Sequence, residues 1–209
     1  MSKWFKWCLI LTLVFTTNAS CKKKEKPADA PAKEKIMQIQ TSFGDIYIWL
    51  FKETPLHRNN YLNLAYTGYL DSTTFHRTVT DFVIQGGDPN SKDSDSTNDG
   101  FGGPGYTIPA EFVSTLKHDY GAVGAARDGN PQKASNGSQF YIVIDKNGEH
   151  TLDTRYTVFG KVISGMEVAV IIAKQAQNAN NRPYKDIKMN VNLLEFTSDE
   201  LKSQFNFIP

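Results

Sequence analysis

Cysteine is almost missing from this chain of 209 residues: Cys8 and Cys21 are the only two, and none follows them. The long remainder can therefore hold no disulfide, no thiolate zinc site and no thiol nucleophile, and any fold it adopts must stand on its core. Excess charge is missing too. Lys and Arg number 23 against 22 Asp and Glu, a formal +1, so there is no basic field to attract nucleic acid. Long apolar runs are also lacking, since Cys8 to Phe15 is too short to cross a bilayer. The four histidines, His57, His76, His118 and His150, are scattered without the paired spacing of a metal site, so neither metal nor cofactor is expected. What the chain does have is 40% hydrophobic and 12% aromatic residues, with 13 Phe, 9 Tyr and 15 Gly. That composition suits one compact, strand-rich domain with non-globular ends.

The first 20 residues read as a signal peptide. Lys3 and Lys6 form a basic start, an apolar stretch follows, and small residues lead to Cys21. Asn18-Ala19-Ser20-Cys21 resembles a bacterial lipobox, with Asn18 in place of the usual aliphatic residue. The resemblance implies lipidation at Cys21 and anchorage in a membrane of the cell envelope. Lys22 directly after Cys21 favours the outer membrane. Cleavage would remove two lysines, leaving 21 basic residues against 22 acids, a formal −1. Residues 21–35 are rich in Lys, Glu, Pro and Ala and carry no large apolar side chain, which predicts a disordered tether. The folded domain is then expected over 36–197, with 198–209 as a surface tail.

Within that domain, Met37 to Thr41 and Ile46 to Leu50 alternate around Ser42-Phe43-Gly44-Asp45, the pattern of a β-hairpin. Thr54-Pro55 predicts a helix start, with Thr54 as N-cap, Leu62, Ala65 and Tyr66 on the apolar face, and Gly68 as the stop. Further strands are expected at 82–85, 121–126, 140–144, 156–162 and 188–196, and a second helix at 166–174. Links between strands are mostly not helical, so a closed barrel fits better than a βαβ sheet.

Three motifs are set aside on context. Gly100-Phe101-Gly102-Gly103-Pro104-Gly105 matches the dinucleotide glycine pattern, but no strand precedes it and no helix follows. Counting a calcium loop from Asp93 puts Asn98 at the glycine position and Pro104 where a bidentate Glu belongs. Ser138 lacks the Gly-x-Ser-x-Gly elbow of a hydrolase nucleophile.

One constellation remains. Phe75-His76-Arg77, then Phe82, then Gln85-Gly86-Gly87-Asp88 resembles the signature of the cyclophilin-type peptidyl-prolyl isomerases. Gly102 to Tyr106 with Glu111-Phe112, Ala125-Ala126-Arg127, Asn136 to Ile142, and Leu152-Asp153 through Val162 follow in the family's order. The resemblance implies a mainly β fold: a closed eight-stranded antiparallel β-barrel capped by two α-helices. It implies a monomer acting on proline-containing polypeptides, with Arg77 as the donor to the prolyl nitrogen and Gln85 orienting Arg77 and meeting the substrate backbone. It further implies a proline pocket of Phe82, Val83, Tyr141 and Leu152, with Ala126, Arg127, Gln139 and Tyr156 along the groove and His76 structural. Thr151 stands where many relatives have Trp, which implies weak cyclosporin binding. Tyr156 replaces a His, Tyr141 a Phe and Val83 a Met. The other function class this set of residues allows is a proline-peptide binding or chaperone module that does not depend on turnover.

Overall fold

The computed structural model describes residues 32–209. The signal segment, Cys21 and the tether up to residue 31 lie outside the described residues. Ten strands and three helices make up the domain: β1 (Lys33–Thr41), β2 (Gly44–Leu50), α1 (Pro55–Tyr66), β3 (Arg77–Thr78), β4 (Val83–Gly86), β5 (Thr107–Ile108), β6 (Ala122–Ala125), β7 (Ser135–Asn136), β8 (Phe140–Val143), β9 (Val158–Ser164), α2 (Met166–Ala173), β10 (Met189–Thr197) and α3 (Ser198–Phe205).

Eight strands form one antiparallel sheet in the order β10-β1-β2-β9-β6-β8-β4-β3, while β5 and β7 pair separately. The expected closed barrel is a rolled sheet whose ladder is not continuous. Across the seam, the segments just ahead of β3 and β10 are joined by the isolated bridge Thr74–Lys188. Backbone bonds from Ser72 N–H to Met189 O (2.8 Å) and Phe75 N–H to Ile187 O (3.0 Å) flank that bridge. Ser72 has φ +65°, which interrupts extended chain just ahead of the seam, and β3 itself is only two residues long. Met37, Ile39, Ile48, Ile84, Val123, Phe140, Ile142 and Phe159 fill the interior, closed by α1 and α2.

The helix start falls at Pro55, as the Thr54-Pro55 signal predicts, but the cap and the face differ. The Thr54 hydroxyl turns back to Phe51 O, and the carboxylate of Glu111 accepts from the N–H groups of Leu56 (3.0 Å) and His57 (2.9 Å) instead. A remote anion thus satisfies the first turn and complements its dipole. The buried residues are His57, Tyr61, Leu64 and Ala65, whereas Tyr66 is 83% exposed. The apolar spacing of Leu62, Ala65 and Tyr66 misses this stripe, because its first two members, His57 and Tyr61, are buried with their polar ends hydrogen-bonded. Tyr61 Oη donates to Gln139 O at 3.0 Å, and His57 bridges Glu111 and Ser135.

Both predicted ends of the domain shift. Lys33 to Lys35, expected in the tether, extend β1 by pairing with Thr197, Phe196 and Glu195. Backbone pairing at an exposed edge needs no apolar side chain, so composition did not mark it. The tail expected after residue 197 contains α3, opened by a reciprocal capping box between Thr197 and Glu200. Leu201 and Phe207 pack on Ile36 and Trp49 as a third apolar cluster outside the barrel.

Candidate active site

The site lies on the outer face of the sheet, where β3, β4, β6 and β8 meet the loop after a 3-10 turn at His150–Leu152. A cavity of about 350 Å³ is lined by Arg77, Phe82, Val83, Gln85, Ala126, Arg127, Tyr141, Leu152 and Tyr156. Of the residues expected in the catalytic pair, the proline pocket and the groove, Gln139 alone is not part of this lining. It lines an adjoining cavity that shares Gln85, Ala126 and Arg127.

Arg77 opens β3 and sits directly across from Gln85 of β4. The turn between them brings Phe82 back, so that the guanidinium carbon of Arg77 lies 5.7 Å from the Phe82 ring centroid. This cation–π contact steers the Arg77 head without consuming its N–H donors. Burial draws the Arg77 pKa down, with the nearby Tyr156 hydroxyl acting the other way. An arginine keeps its charge at neutral pH through such a shift. No acidic partner meets Arg77 among the described residues, so a full set of donors faces an apolar cavity.

Gln85 does not hydrogen-bond Arg77, which corrects the expectation that it orients that side chain. Gln139 Nε2 donates to Gly100 O (3.0 Å) and Gly102 O (2.8 Å), which fixes which end of the Gln139 amide is which. Its Oε1 then accepts from Gln85 Nε2 at 2.9 Å. Gln85 Oε1 is left as an acceptor at the cavity edge with no partner among the described residues. The glycine loop that starts this chain is held by Asp88, fully buried, whose carboxylate accepts from the backbone N–H groups of Asn90 (2.8 Å), Gly100 and Gly102 (3.2 Å). Gly87 makes the approach possible: its φ of +86° and its contact with Ser138 O leave no place for a side chain. The Gln-Gly-Gly-Asp stretch is therefore one device: Asp88 holds the loop, the loop holds Gln139, and Gln139 holds Gln85.

At Ala126 the backbone N–H donates to Gln139 O (3.0 Å) and the carbonyl accepts from Asn136 (2.8 Å). Both groups are therefore occupied within the fold, and Ala126 lines the cavity together with Arg127, which follows it. The Arg127 head is pinned by bonds to Arg155 O (2.9 Å) and Asp128 O (2.8 Å) and lies 4.8 Å over the Tyr156 ring.

Sequence reasoning missed two groups behind the wall. Tyr141 Oη lies 2.9 Å from His118 Nε2, and His118 Nδ1 lies 2.8 Å from Asp153 Oδ1. A carboxylate only accepts, so His118 carries its proton on Nδ1 and takes the Tyr141 proton's hydrogen bond at Nε2. Burial lowers the His118 pKa in spite of Asp153, and burial raises that of Tyr141 well above the usual phenol, so both are neutral at pH 7. Burial acts to raise the Asp153 carboxyl, but the His118 hydrogen bonds outweigh it and the pKa ends low. The signal available in sequence was Tyr141 itself, since a buried hydroxyl requires a partner.

A model of the family described as cyclophilin type peptidyl-prolyl cis-trans isomerase/CLD matches residues 36–192. This chain belongs to the cyclophilin-type peptidyl-prolyl isomerases. It is 37% identical to the isomerase CYP18-1 of Arabidopsis thaliana over 153 residues, 73% of this chain and 91% of that protein. It is 36% identical to cypE of Dictyostelium discoideum, spanning 75% and 95% of the two chains. A longer relative, peptidyl-prolyl cis-trans isomerase-like 2 of Rhizopus delemar, is matched over only 28% of its length. Among solved structures, a Cryptosporidium parvum cyclophilin superposes with a TM-score of 0.68 at 30% identity, covering 78% of this chain and 98% of that one. The same protein in the presence of the dipeptide Ala-Pro gives 0.67. In this isomerase the cavity sits on the outer face of the rolled sheet.

Proposed function

We propose that this isomerase rotates X-Pro bonds in exported or envelope proteins and so aids their folding, with Arg77 and Gln85 as its catalytic pair. The observation that carries the reading is the Arg77 guanidinium, charged and, among the described residues, without an acidic partner, at the edge of a cavity lined by Phe82, Val83, Tyr141 and Leu152.

The barrier to X-Pro rotation, about 18–20 kcal/mol, comes from amide resonance. Uncatalysed exchange takes tens of seconds or more. A turnover of about 10 per second requires roughly a thousandfold acceleration, about 4 kcal/mol. As the amide twists, the prolyl nitrogen regains its lone pair and becomes an acceptor. An Arg77 N–H donates to it there and has no such partner in the planar ground state, so the bond favours the twisted state alone. A charge-assisted hydrogen bond of this kind contributes about 1.5–3 kcal/mol. The apolar floor seats the proline ring, and Gln85 Oε1 accepts from a substrate backbone N–H, holding one side of the bond while the other turns. No bond is made or broken, so neither nucleophile nor cofactor enters the mechanism.

Lipidation at Cys21 would place this activity at the envelope. Metabolic labelling with palmitate tests that part: the wild-type chain takes up label and Cys21→Ala does not. The catalytic part is tested by two-dimensional NMR exchange on an Ala-Ala-Pro-Phe peptide. Wild type accelerates cis–trans exchange and Arg77→Ala does not; equal exchange rates in the two would refute the mechanism and leave a binding module.

A further inference from the structure

We propose that His118 is a positioning residue for the isomerase site, holding the Tyr141 hydroxyl and through it the ring that forms the pocket wall. The inference rests on the isomerase reading above and adds a second layer to it.

Tyr141 is 4% exposed and contributes to the apolar cluster under the cavity together with Val83 and Ala126. Its ring is confined on three sides. It pairs across strands with Gly124, where any Cβ would strike the ring's outer carbon and hydroxyl. Tyr156 meets it edge-on at 6.0 Å between centroids. The His118 imidazole lies nearly parallel to it, also at 6.0 Å, and takes its hydroxyl at 2.9 Å. A phenylalanine in this place would be confined by shape only. The tyrosine is also held along its long axis, at the end remote from the backbone.

His118 is in turn fully buried and immobilised twice by one carboxylate oxygen. Asp153 Oδ1 accepts from the His118 backbone N–H at 2.9 Å and from Nδ1 at 2.8 Å. The other oxygen, Oδ2, faces His150 Nδ1 at 3.4 Å and Lys117 Nζ at 3.5 Å. Asp153 immediately follows Leu152, another lining residue. The same carboxylate therefore ties the loop that carries Leu152 to the strand that carries Tyr141. Two walls of the pocket, on different elements, share a single hydrogen-bonded strut through His118.

Such a strut acts on how tightly the proline ring is seated, while the Arg77 donor is untouched. The effect belongs in KM. Asn at position 118 puts its amide near the Nδ1 position, keeping the Asp153 bond but falling short of Tyr141; Gln reaches the Nε2 position. On the full chain and the Ala-Ala-Pro-Phe peptide, Tyr141→Phe and His118→Asn are each expected to raise KM about fivefold with kcat within about twofold. The double variant is expected to be no worse than either single one, and His118→Gln to restore most of the loss. A purely structural His118 would instead lower the melting temperature and leave KM of the folded protein alone. Unchanged KM in Tyr141→Phe, or additive losses in the double variant, would overturn the strut while leaving the isomerase intact. A wild-type chain that fails to accelerate exchange would overturn both readings together.

Discussion

Phe140 and Tyr141 are neighbours on β8, both buried, yet they serve opposite sides of one sheet. Phe140 points inward, edge-on to Tyr61 and Phe75 at centroid distances of 6.1 and 6.2 Å, in the barrel core. Tyr141 points outward into the pocket wall, its hydroxyl on His118. The same split divides Ile84 from Val83 on β4 and Val123 from Ala122 on β6. The inner set is aliphatic and aromatic packing, with the Tyr61 hydroxyl satisfied by Gln139 O. The outer set is apolar too, but behind it the Tyr141 hydroxyl is tied to His118, while among the described residues the Arg77 donors and Gln85 Oε1 stay open at its edge. The contrast separates what keeps the sheet rolled from what is left available for a substrate.

Substitutions can break that contrast in order of size. Phe140→Ala, on the inner face, should cost about 3–5 kcal/mol of stability, read as a fall in denaturation midpoint, with turnover per folded molecule retained. Arg77→Ala should do the reverse, lowering kcat/KM about 100-fold, equivalent to about 2.7 kcal/mol, at nearly unchanged stability. If either variant moved both quantities equally, the two faces would not be separable.

Acid probes both faces together. Burial holds His57, His76 and His118 below the ordinary imidazole value. Each then binds its proton more readily in the unfolded chain than in the folded one. Their contribution is complete above the unfolded value near 6.5 and is lost as pH falls below it, by at most about 1.4 kcal/mol per pH unit for each histidine. Chemical denaturation at pH 7.5 and 5.5 should show the loss, reduced in His118→Gln. The smallest expected effect is an absence. Thr151 is exposed and does not line the cavity, so cyclosporin should bind weakly; nanomolar inhibition would refute this.

The comparison of faces also explains what could be read from sequence. The β1–β2 hairpin was legible because one face alternates against the core around a two-residue turn, Ser42-Phe43, with Thr41 opposite Gly44. Strands β4, β6 and β8 were legible only as continuous apolar runs, since both their faces are covered. The pocket residues came from a pattern of motifs in order, and the fold gathers nine of them around one cavity. The supports stayed hidden. Nothing local in sequence joins Asp153 to His118 or Asp88 to Gly100, because each link is a side chain reaching across a fold that must first exist. α3 was missed for a different reason: Thr197 and Glu200 carry a capping box that can be read locally, but the helix has only one fully buried residue, Leu201.

That last helix governs how the domain meets a mechanical load. The start of β1 lies beside the end of β10, with Lys33 opposite Thr197. Tension applied between these two points would open the β1–β10 ladder one rung at a time, the weakest way to load a pair of strands, since only a single rung bears the force at any moment. The chain does not leave at Thr197, however. It continues through α3 and lays Phe207 against Trp49 of β2, 5.4 Å between centroids, crossing over β1 on the way. A pull on the C-terminus must first peel Phe207 and Leu201 from Trp49 and Ile36. The helix thus works as a strain relief: in a force-extension experiment, Phe207→Ala should lower the first rupture force and leave the later peaks in place.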